Sequence, residues 1–215
     1  MPSAQPNILD FGMDTISMAG TLPDKLRAMR EAGFSQVMLS ARDLMQHAEG
    51  YDAAVRAVRD SGLRITGFQV LRDFEGLSGH LHDYKVDVAK SMLEMCQAIG
   101  AKLLLVCSST STHASGDPEL LARDLRKLAM LALPLGVKVA YEGLSWGRHV
   151  NEFTAAWDVV RRADVPNLGL GLVCDPPADP ARGQVGLYLR EVGIEGAARL
   201  VAAGAFGGQA IGGIT

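Results

Sequence analysis

The chain carries an apolar run, Ala101-Lys102-Leu103-Leu104-Leu105-Val106-Cys107, that is interrupted only at Lys102. A strand with so little polar alternation is covered on both faces, which is typical of a parallel sheet with helices outside it. A segment of helical periodicity ends just before the run, at Gly100, and Asp117-Pro118 opens the next helical segment. This order of helix, buried strand and helix predicts a parallel α/β fold.

The same alternation extends over most of the chain. The other predicted strands are residues 7–13, 35–40, 63–70, 137–142 and 168–172. Helices are predicted between the cap Thr21 and Gly33, and over residues 51–60, 82–99, 117–135 and 151–163, with Pro134 ending the regular part of the fourth early.

Two parallel architectures fit this pattern. A doubly wound sheet usually has a glycine-rich phosphate loop after its first strand, but residues 14–20 contain no G-x-G-x-x-G or Walker signature. The candidate functional residues instead follow several different strands, as in a (β/α)8 barrel. We therefore predict an α/β fold of the (β/α)8 TIM barrel type, incomplete because about six of its eight βα units can be recognised.

The sequence changes character after residue 172. Prolines cluster in residues 176–180, and residues 203–213 are rich in glycine, which favours neither helices nor strands. Only residues 185–203 have a helical pattern. We predict a partial barrel over residues 1–172 and an atypical, poorly ordered tail over residues 173–215.

Composition excludes several classes of partner. The 215 residues carry a net charge of −3 without a basic patch, and no apolar run is long enough to span a bilayer. Neither nucleic acid nor a membrane is therefore an expected partner. The first residues lack the pattern of a signal peptide, and the three cysteines are odd in number, so we expect a cytoplasmic protein.

The strongest candidate site follows the predicted strand at residues 137–142. Glu142 ends this strand, and the ends of barrel strands are where carboxylates hold hard cations such as Mg²⁺ or Mn²⁺. The alternative is a glutamate in a salt bridge at a strand end. A loop with Trp146, Arg148 and His149 follows, and Asn151 is placed to cap the next helix.

Each of these loop residues has a functional and a structural interpretation. Arg148 could hold a substrate carboxylate, and His149 could move a proton or equally stabilise a helix start. Trp146 could contact substrate or form a packing wall. Gln69 and Arg72 leave the third strand towards the same rim, where Arg72 could bind an anion or belong to a surface charge cluster. Ser108 could bind a hydroxylated ligand or serve a turn.

Several motifs together resemble one known family. They are Arg72-Asp73-Phe74-Glu75-Gly76, Leu103-Leu104-Leu105-Val106-Cys107-Ser108, Trp146-Gly147-Arg148-His149-Val150-Asn151 and Pro166-Asn167-Leu168-Gly169-Leu170. They are similar to the bacterial 3-dehydroshikimate dehydratase branch of the xylose isomerase-like TIM barrels, also called the sugar phosphate isomerase/epimerase superfamily.

The resemblance implies a lyase that removes water from 3-dehydroshikimate, a hydroxylated cyclic carboxylate, to give protocatechuate. A divalent metal, Mg²⁺ or Mn²⁺, would stabilise an enolate-type intermediate, with Glu142 as its first ligand. Arg148 and His149 would be catalytic, whereas Arg72, Gln69, Ser108 and Trp146 would bind the substrate.

The chain departs from the family after residue 170. Val173 stands where a second ligand, an aspartate, is expected, and Asp175 follows two residues later as the candidate substitute. We therefore expect weak or absent activity unless Asp175 or a partner chain completes the site. The alternatives are a sugar isomerase or epimerase of the same superfamily and a non-catalytic, truncated remnant or binding protein. Open strand edges would favour a homo-oligomer.

Overall fold

Six parallel strands form the centre of the fold. The computed structural model describes residues 12–174 and 185–189. The parallel strands are β1 (Gly12–Asp14), β2 (Gln36–Ser40), β3 (Arg64–Arg72), β4 (Leu103–Cys107), β5 (Lys138–Glu142) and β6 (Leu168–Cys174). The helices are α1 (Leu22–Glu31), α2 (Ala41–Met45), α3 (Tyr51–Asp60), α4 (Gly79–Ile99), α5 (Pro118–Ala132) and α6 (Phe153–Ala163).

Strands that follow one another in sequence are neighbours in the sheet, in the order β1 to β6. Each pairs with the next in parallel, and helices connect them, which is the winding of a (β/α)8 barrel. The predicted fold class is thus confirmed, and the described residues supply six of its parallel strands.

A seventh strand, β7 (Val185–Leu189), pairs with β6 in the antiparallel direction. The predicted helix over residues 185–203 is therefore wrong for its first five residues, and its remainder lies outside the described residues. Two physical causes favour a strand here. Valine and tyrosine are residue types enriched in strands, and the edge of β6 offers backbone groups for pairing. β6 itself continues two residues beyond the predicted boundary at residue 172.

Apolar residues alternate between the two faces of the sheet. The outer face packs against the helices through the main core, which includes Val37, Leu39, Leu104, Val106, Val139, Tyr141, Leu168 and Leu170. The inner face carries a smaller cluster of Leu105, Cys107, Ala140 and Leu144, with Met38, Val70 and Leu103 packed against it. Because side chains alternate along a strand, residue parity decides which face each one joins.

Helix boundaries follow local capping chemistry. Thr21 caps α1 as predicted by accepting a hydrogen bond from the backbone N–H of Asp24, and Pro23 occupies the first turn of this helix. Pro134 lies in a short 3-10 turn after α5, which confirms its predicted effect. α6 begins at Phe153 with Glu152 as its cap, so the predicted capping role of Asn151 is wrong by one residue.

The helix α2 was not predicted. It directly follows β2, and Ser40 caps it by accepting a hydrogen bond from the N–H of Arg42. No helix within the described residues combines the length and apolar character that crossing a lipid bilayer requires.

Candidate functional site

Three strand ends align at one edge of the sheet. Arg72 on β3 is in register with Cys107 on β4, which is in register with Glu142 on β5. Residues in register on parallel strands place their side chains on the same face, and neighbouring strands lie roughly 4.8 Å apart. Arg72 and Glu142, both predicted site residues, are therefore brought to the same rim of the inner face, two strand spacings apart.

Glu142 is buried within this rim. Its Oε2 atom accepts a hydrogen bond from the Cys107 thiol, with Sγ at 3.2 Å. On its other side lies Gly171 of β6, where an added Cβ would lie 3.6 Å from the Cβ of Glu142 and 3.1 Å from Leu105. A residue without a side chain on β6 therefore leaves room for the glutamate on the inner face.

Gln69 lies on the same rim but is bound to a carboxylate. Its amide donates a hydrogen bond to Oδ2 of Asp14 at the end of β1, and the N–H of Ile16 donates to Oδ1 at 2.9 Å. Burial raises the pKa of Asp14 above its usual value, although these hydrogen bonds act in the opposite direction. Asp14 was missed as a site residue, and its position directly after the first apolar segment was the available signal.

Ser108 is buried directly after β4, and it forms hydrogen bonds with the end of β5 and the loop that follows it. Its hydroxyl oxygen accepts the N–H of Leu144 at 2.9 Å, and its own N–H donates to the carbonyl oxygen of Glu142 at 2.8 Å. The turn role that the sequence left open for Ser108 is therefore present in the structure. The predicted role of Ser108 in binding a hydroxylated ligand stays a prediction.

Arg148 and Trp146 are exposed in the loop between β5 and α6, with 58% of Trp146 accessible. The backbone N–H of Arg148 donates to the carbonyl oxygen of Ser109 at 2.8 Å. The loop is thus fixed through its backbone, while both side chains are exposed to solvent.

His149 connects two loops. Its Nε2 lies 3.0 Å from the carbonyl oxygen of Ala114, and a carbonyl can only accept, so Nε2 carries the hydrogen. The ring lies against Gly116, where an added Cβ would be 2.7 Å from Nδ1. One nitrogen of the predicted catalytic histidine is therefore engaged by the backbone.

Glu75, in the loop after β3, was expected either at this rim or in a surface charge cluster, and the structure buries it. It accepts hydrogen bonds from the N–H of Ser109 at 2.6 Å and the hydroxyl of Tyr141 at 2.9 Å, both at Oε1. Burial raises the pKa of Glu75 to about 7, against the effect of these hydrogen bonds. The flanking Phe74 and Gly76 are buried as well, but this burial is visible only in the structure.

The described residues do not by themselves build a metal site. Nowhere among them do three histidine, cysteine, aspartate or glutamate side chains come together as ligands. Glu142 is the predicted ligand within this part of the chain, and its neighbour Cys107 is a protonated thiol because burial and the charge of Glu142 raise its pKa. The second predicted ligand, Asp175, lies outside the described residues.

Comparisons with known proteins agree with the barrel fold. The family model described as "Xylose isomerase-like TIM barrel" matches residues 26–176. A solved structure titled "xylose isomerase-like TIM barrel/4-hydroxyphenylpyruvate dioxygenase fusion protein" superimposes with a TM-score of 0.70 and 40% identity, covering 74% of this chain and 26% of that one.

Two curated relatives carry the same name, 3-dehydroshikimate dehydratase. The protein from Pseudomonas aeruginosa is 45% identical over 160 residues, and the one from Pseudomonas putida is 41% identical over 156 residues. Each alignment covers 73% of this chain and 25% of the relative. The chain thus spans about a quarter of the length of these relatives.

Proposed function

The chain belongs to the xylose isomerase-like TIM barrel family, and on this basis we propose that its rim is part of a site that dehydrates 3-dehydroshikimate to protocatechuate. The observation that carries the proposal is the alignment of Arg72, Cys107 and Glu142 across three neighbouring strand ends. The similarity to two proteins named 3-dehydroshikimate dehydratase, at 41–45% identity, supports the choice of substrate.

The reaction requires that a proton next to a ketone is removed and that a hydroxyl group leaves as water. The exposed guanidinium of Arg72 offers a bidentate partner for the substrate carboxylate, and Arg148 offers a second cation from the neighbouring loop. The Ser108 hydroxyl can donate to a substrate oxygen. These three groups would orient a hydroxylated cyclic carboxylate above the strand ends.

We also propose Glu142 as a ligand of a divalent cation, Mg²⁺ or Mn²⁺, for which carboxylate oxygens are suitable donors. The described residues supply too few ligands to hold such an ion alone. Further ligands would have to come from Asp175 or from a partner chain.

The test is an assay of the purified full chain with 3-dehydroshikimate, with and without Mn²⁺, followed by the absorbance of the aromatic product. We expect product from the wild type and none from Glu142→Gln, which keeps the shape of the side chain and removes its charge. Arg161→Lys serves as the control, because Arg161 pairs with Asp158 on the exposed face of α6.

Equal rates in wild type and Glu142→Gln would contradict the proposed site, and a folded wild type without any aromatic product would contradict the proposed reaction. Conversion to an isomer of unchanged mass would identify an isomerase or epimerase instead. Calorimetry with Mn²⁺ on wild type and Glu142→Ala tests the metal separately. The expected homo-oligomer stays a prediction, which size-exclusion chromatography checks.

A further inference from the structure

Glu75 lies where two loops of the rim meet the strand β5. It belongs to the loop between β3 and α4, and it accepts from Ser109 in the loop after β4 and from Tyr141 on β5. Glu75 is almost fully buried, and its Oε2 atom has no hydrogen-bond partner within the described residues. Burying a carboxyl group costs free energy unless hydrogen bonds compensate for its lost hydration. The two hydrogen bonds that Glu75 accepts are therefore expected to matter for the residues that donate them.

Ser109 is bound by hydrogen bonds to two carboxyl groups. Its N–H donates to Glu75, and its hydroxyl donates to Oδ1 of Asp73 at 3.2 Å. The same Asp73 oxygen accepts the N–H of Thr110 at 2.8 Å. Two carboxyl groups of the loop between β3 and α4 therefore accept hydrogen bonds from two successive residues of the loop after β4.

Ser109 also connects to a third loop, the one between β5 and α6, through its backbone carbonyl group. The carbonyl oxygen of Ser109 accepts the N–H of Arg148 at 2.8 Å. A continuous series of hydrogen bonds thus connects the carboxyl of Glu75 with the backbone of Arg148. Asp73 accepts from the hydroxyl of the same serine, so two carboxyl groups fix Ser109, one through its backbone and one through its side chain.

We propose that Glu75 is a positioning residue of the site, which fixes the backbone of Arg148 through Ser109 so that the guanidinium meets the substrate carboxylate. This inference rests on the proposed function for the role of Arg148, whereas the connection from Glu75 to Arg148 can be measured without any substrate. Glu75 does not touch the substrate in this scheme; it acts only through the two loops that it joins.

Two substitutions separate positioning from general stability. Glu75→Gln keeps an acceptor oxygen for Ser109 and Tyr141 in the same shape, whereas Glu75→Leu fills a similar volume without any acceptor. Tyr141→Phe is the matched control, because it removes one donor to Glu75 and leaves the Ser109 bond in place. If the leucine variant does not fold, Glu75→Asp tests the same point by withdrawing the carboxyl by one methylene group.

The first readout is amide hydrogen exchange. In Glu75→Leu we expect the N–H groups of Ser109 and Arg148 to exchange roughly tenfold faster, with near wild-type exchange in Glu75→Gln and, at Arg148, in Tyr141→Phe. The N–H of Val139, which donates to the carbonyl oxygen of Asn167 at the opposite end of β5, should not change. Unchanged exchange at Arg148 in Glu75→Leu would overturn the proposal.

The second readout is kinetic. Misplacing Arg148 should lower kcat/KM of Glu75→Leu roughly tenfold to a hundredfold, mainly through a higher KM, and glutamine should restore it. Unchanged kinetics together with accelerated exchange at Arg148 would also overturn the proposal. A wild type without dehydratase activity would fail the proposed function instead, and the exchange measurement would still decide whether Glu75 fixes Arg148.

Discussion

The Sγ atom of Cys107 lies 3.2 Å from Oε2 of Glu142 and donates its hydrogen to this carboxylate on the inner face of the sheet. Burial raises the pKa of the thiol, and the negative charge of Glu142 raises it further. The thiol therefore remains protonated at neutral pH, which is also the condition for it to donate. Burial thus keeps the Cys107 thiol protonated, and the protonated thiol donates a hydrogen bond to Glu142.

The first prediction concerns the reactivity of the two described cysteines. Burial raises the pKa of Cys96 to about 12, so neither Cys96 nor Cys107 presents a thiolate to a reagent. In a Cys174→Ser background we expect no reaction with an aromatic disulfide reagent at pH 8, and two reactive thiols after denaturation. Adding Trp146→Cys at an exposed position should give one fast thiol, as a control for the reagent. Rapid labelling of Cys107 in the native state would contradict its place in the structure.

The second prediction concerns the pH dependence of stability. The pKa of Glu75 rises from 4.5 to about 7 on folding, so the folded state keeps a proton that the unfolded state releases over this interval. The stabilising contribution is fully present below pH 4.5 and is lost as the pH rises through 7. Each pKa unit corresponds to about 1.4 kcal/mol, so the free energy of unfolding should fall by about 3 kcal/mol across this window.

Glu75→Gln isolates this effect, because glutamine does not titrate and all other groups, including Asp14, cancel in the comparison. Urea unfolding of both proteins between pH 4.5 and pH 8 should show the wild type losing stability relative to the variant. A difference between the two proteins that does not vary with pH would show that Glu75 ionises normally.

The third prediction compares two ion pairs on the same helix. Lys25 of α1 donates to Asp43 at 2.7 Å, with side-chain exposures of only 8% and 12%. Arg27, also on α1, pairs with Asp24 at 2.6 Å in solvent. Removing one partner of a buried pair costs roughly 3–5 kcal/mol because the other charge is left uncompensated, whereas an exposed pair contributes little.

Lys25→Met should therefore destabilise the protein several times more than Arg27→Met, as measured by urea unfolding at pH 7. The double variant Lys25→Met/Asp43→Leu should recover part of the loss, since it removes the uncompensated carboxylate. Equal costs for the two single substitutions would mean that Lys25 is hydrated in solution.

The fourth prediction concerns the tight loop after β5. A Cβ at Gly147 would collide with the carbonyl oxygen of Val150 and lie 2.6 Å from Oγ of Ser108. Backbone atoms cannot move aside cheaply, so Gly147→Ala should cost about 1–3 kcal/mol of stability. Trp146→Ala, one residue earlier and exposed, should cost less than about 0.5 kcal/mol. Thermal melting of both variants provides the measurement, and a neutral Gly147→Ala would contradict the described loop.

The parallel fold could be predicted because its signals are local. The apolar run at β4, the cap at Thr21 and the glycines after helices all act over a few residues, and the structure places elements where these signals occur. The strand β7 could not be predicted in the same way. Its pairing depends on the edge of β6, more than ten residues away, and a short segment such as Val185–Leu189 is compatible with either helix or strand.

The placement of the candidate site residues could be predicted in part for a similar reason. Residues that end strands, such as Glu142 and Arg72, could be assigned to one rim because parallel strands place their ends together. The hydrogen bonds that join loops could not be assigned, because they depend on distances between segments far apart in sequence. Glu75 and Tyr141 are 66 positions apart, and neither the burial of Glu75 nor its partner can be read from the adjacent residues.

The loop after β4 has a consequence for protein engineering. Barrel enzymes are often treated as scaffolds whose rim loops can be exchanged one at a time. Here Ser108 and Ser109 bind the backbones of Leu144 and Arg148, and Ser109 also binds Glu75. Grafting any one of these loops alone would leave donors and acceptors of the other two unmatched, so the three loops should be transferred as a single block.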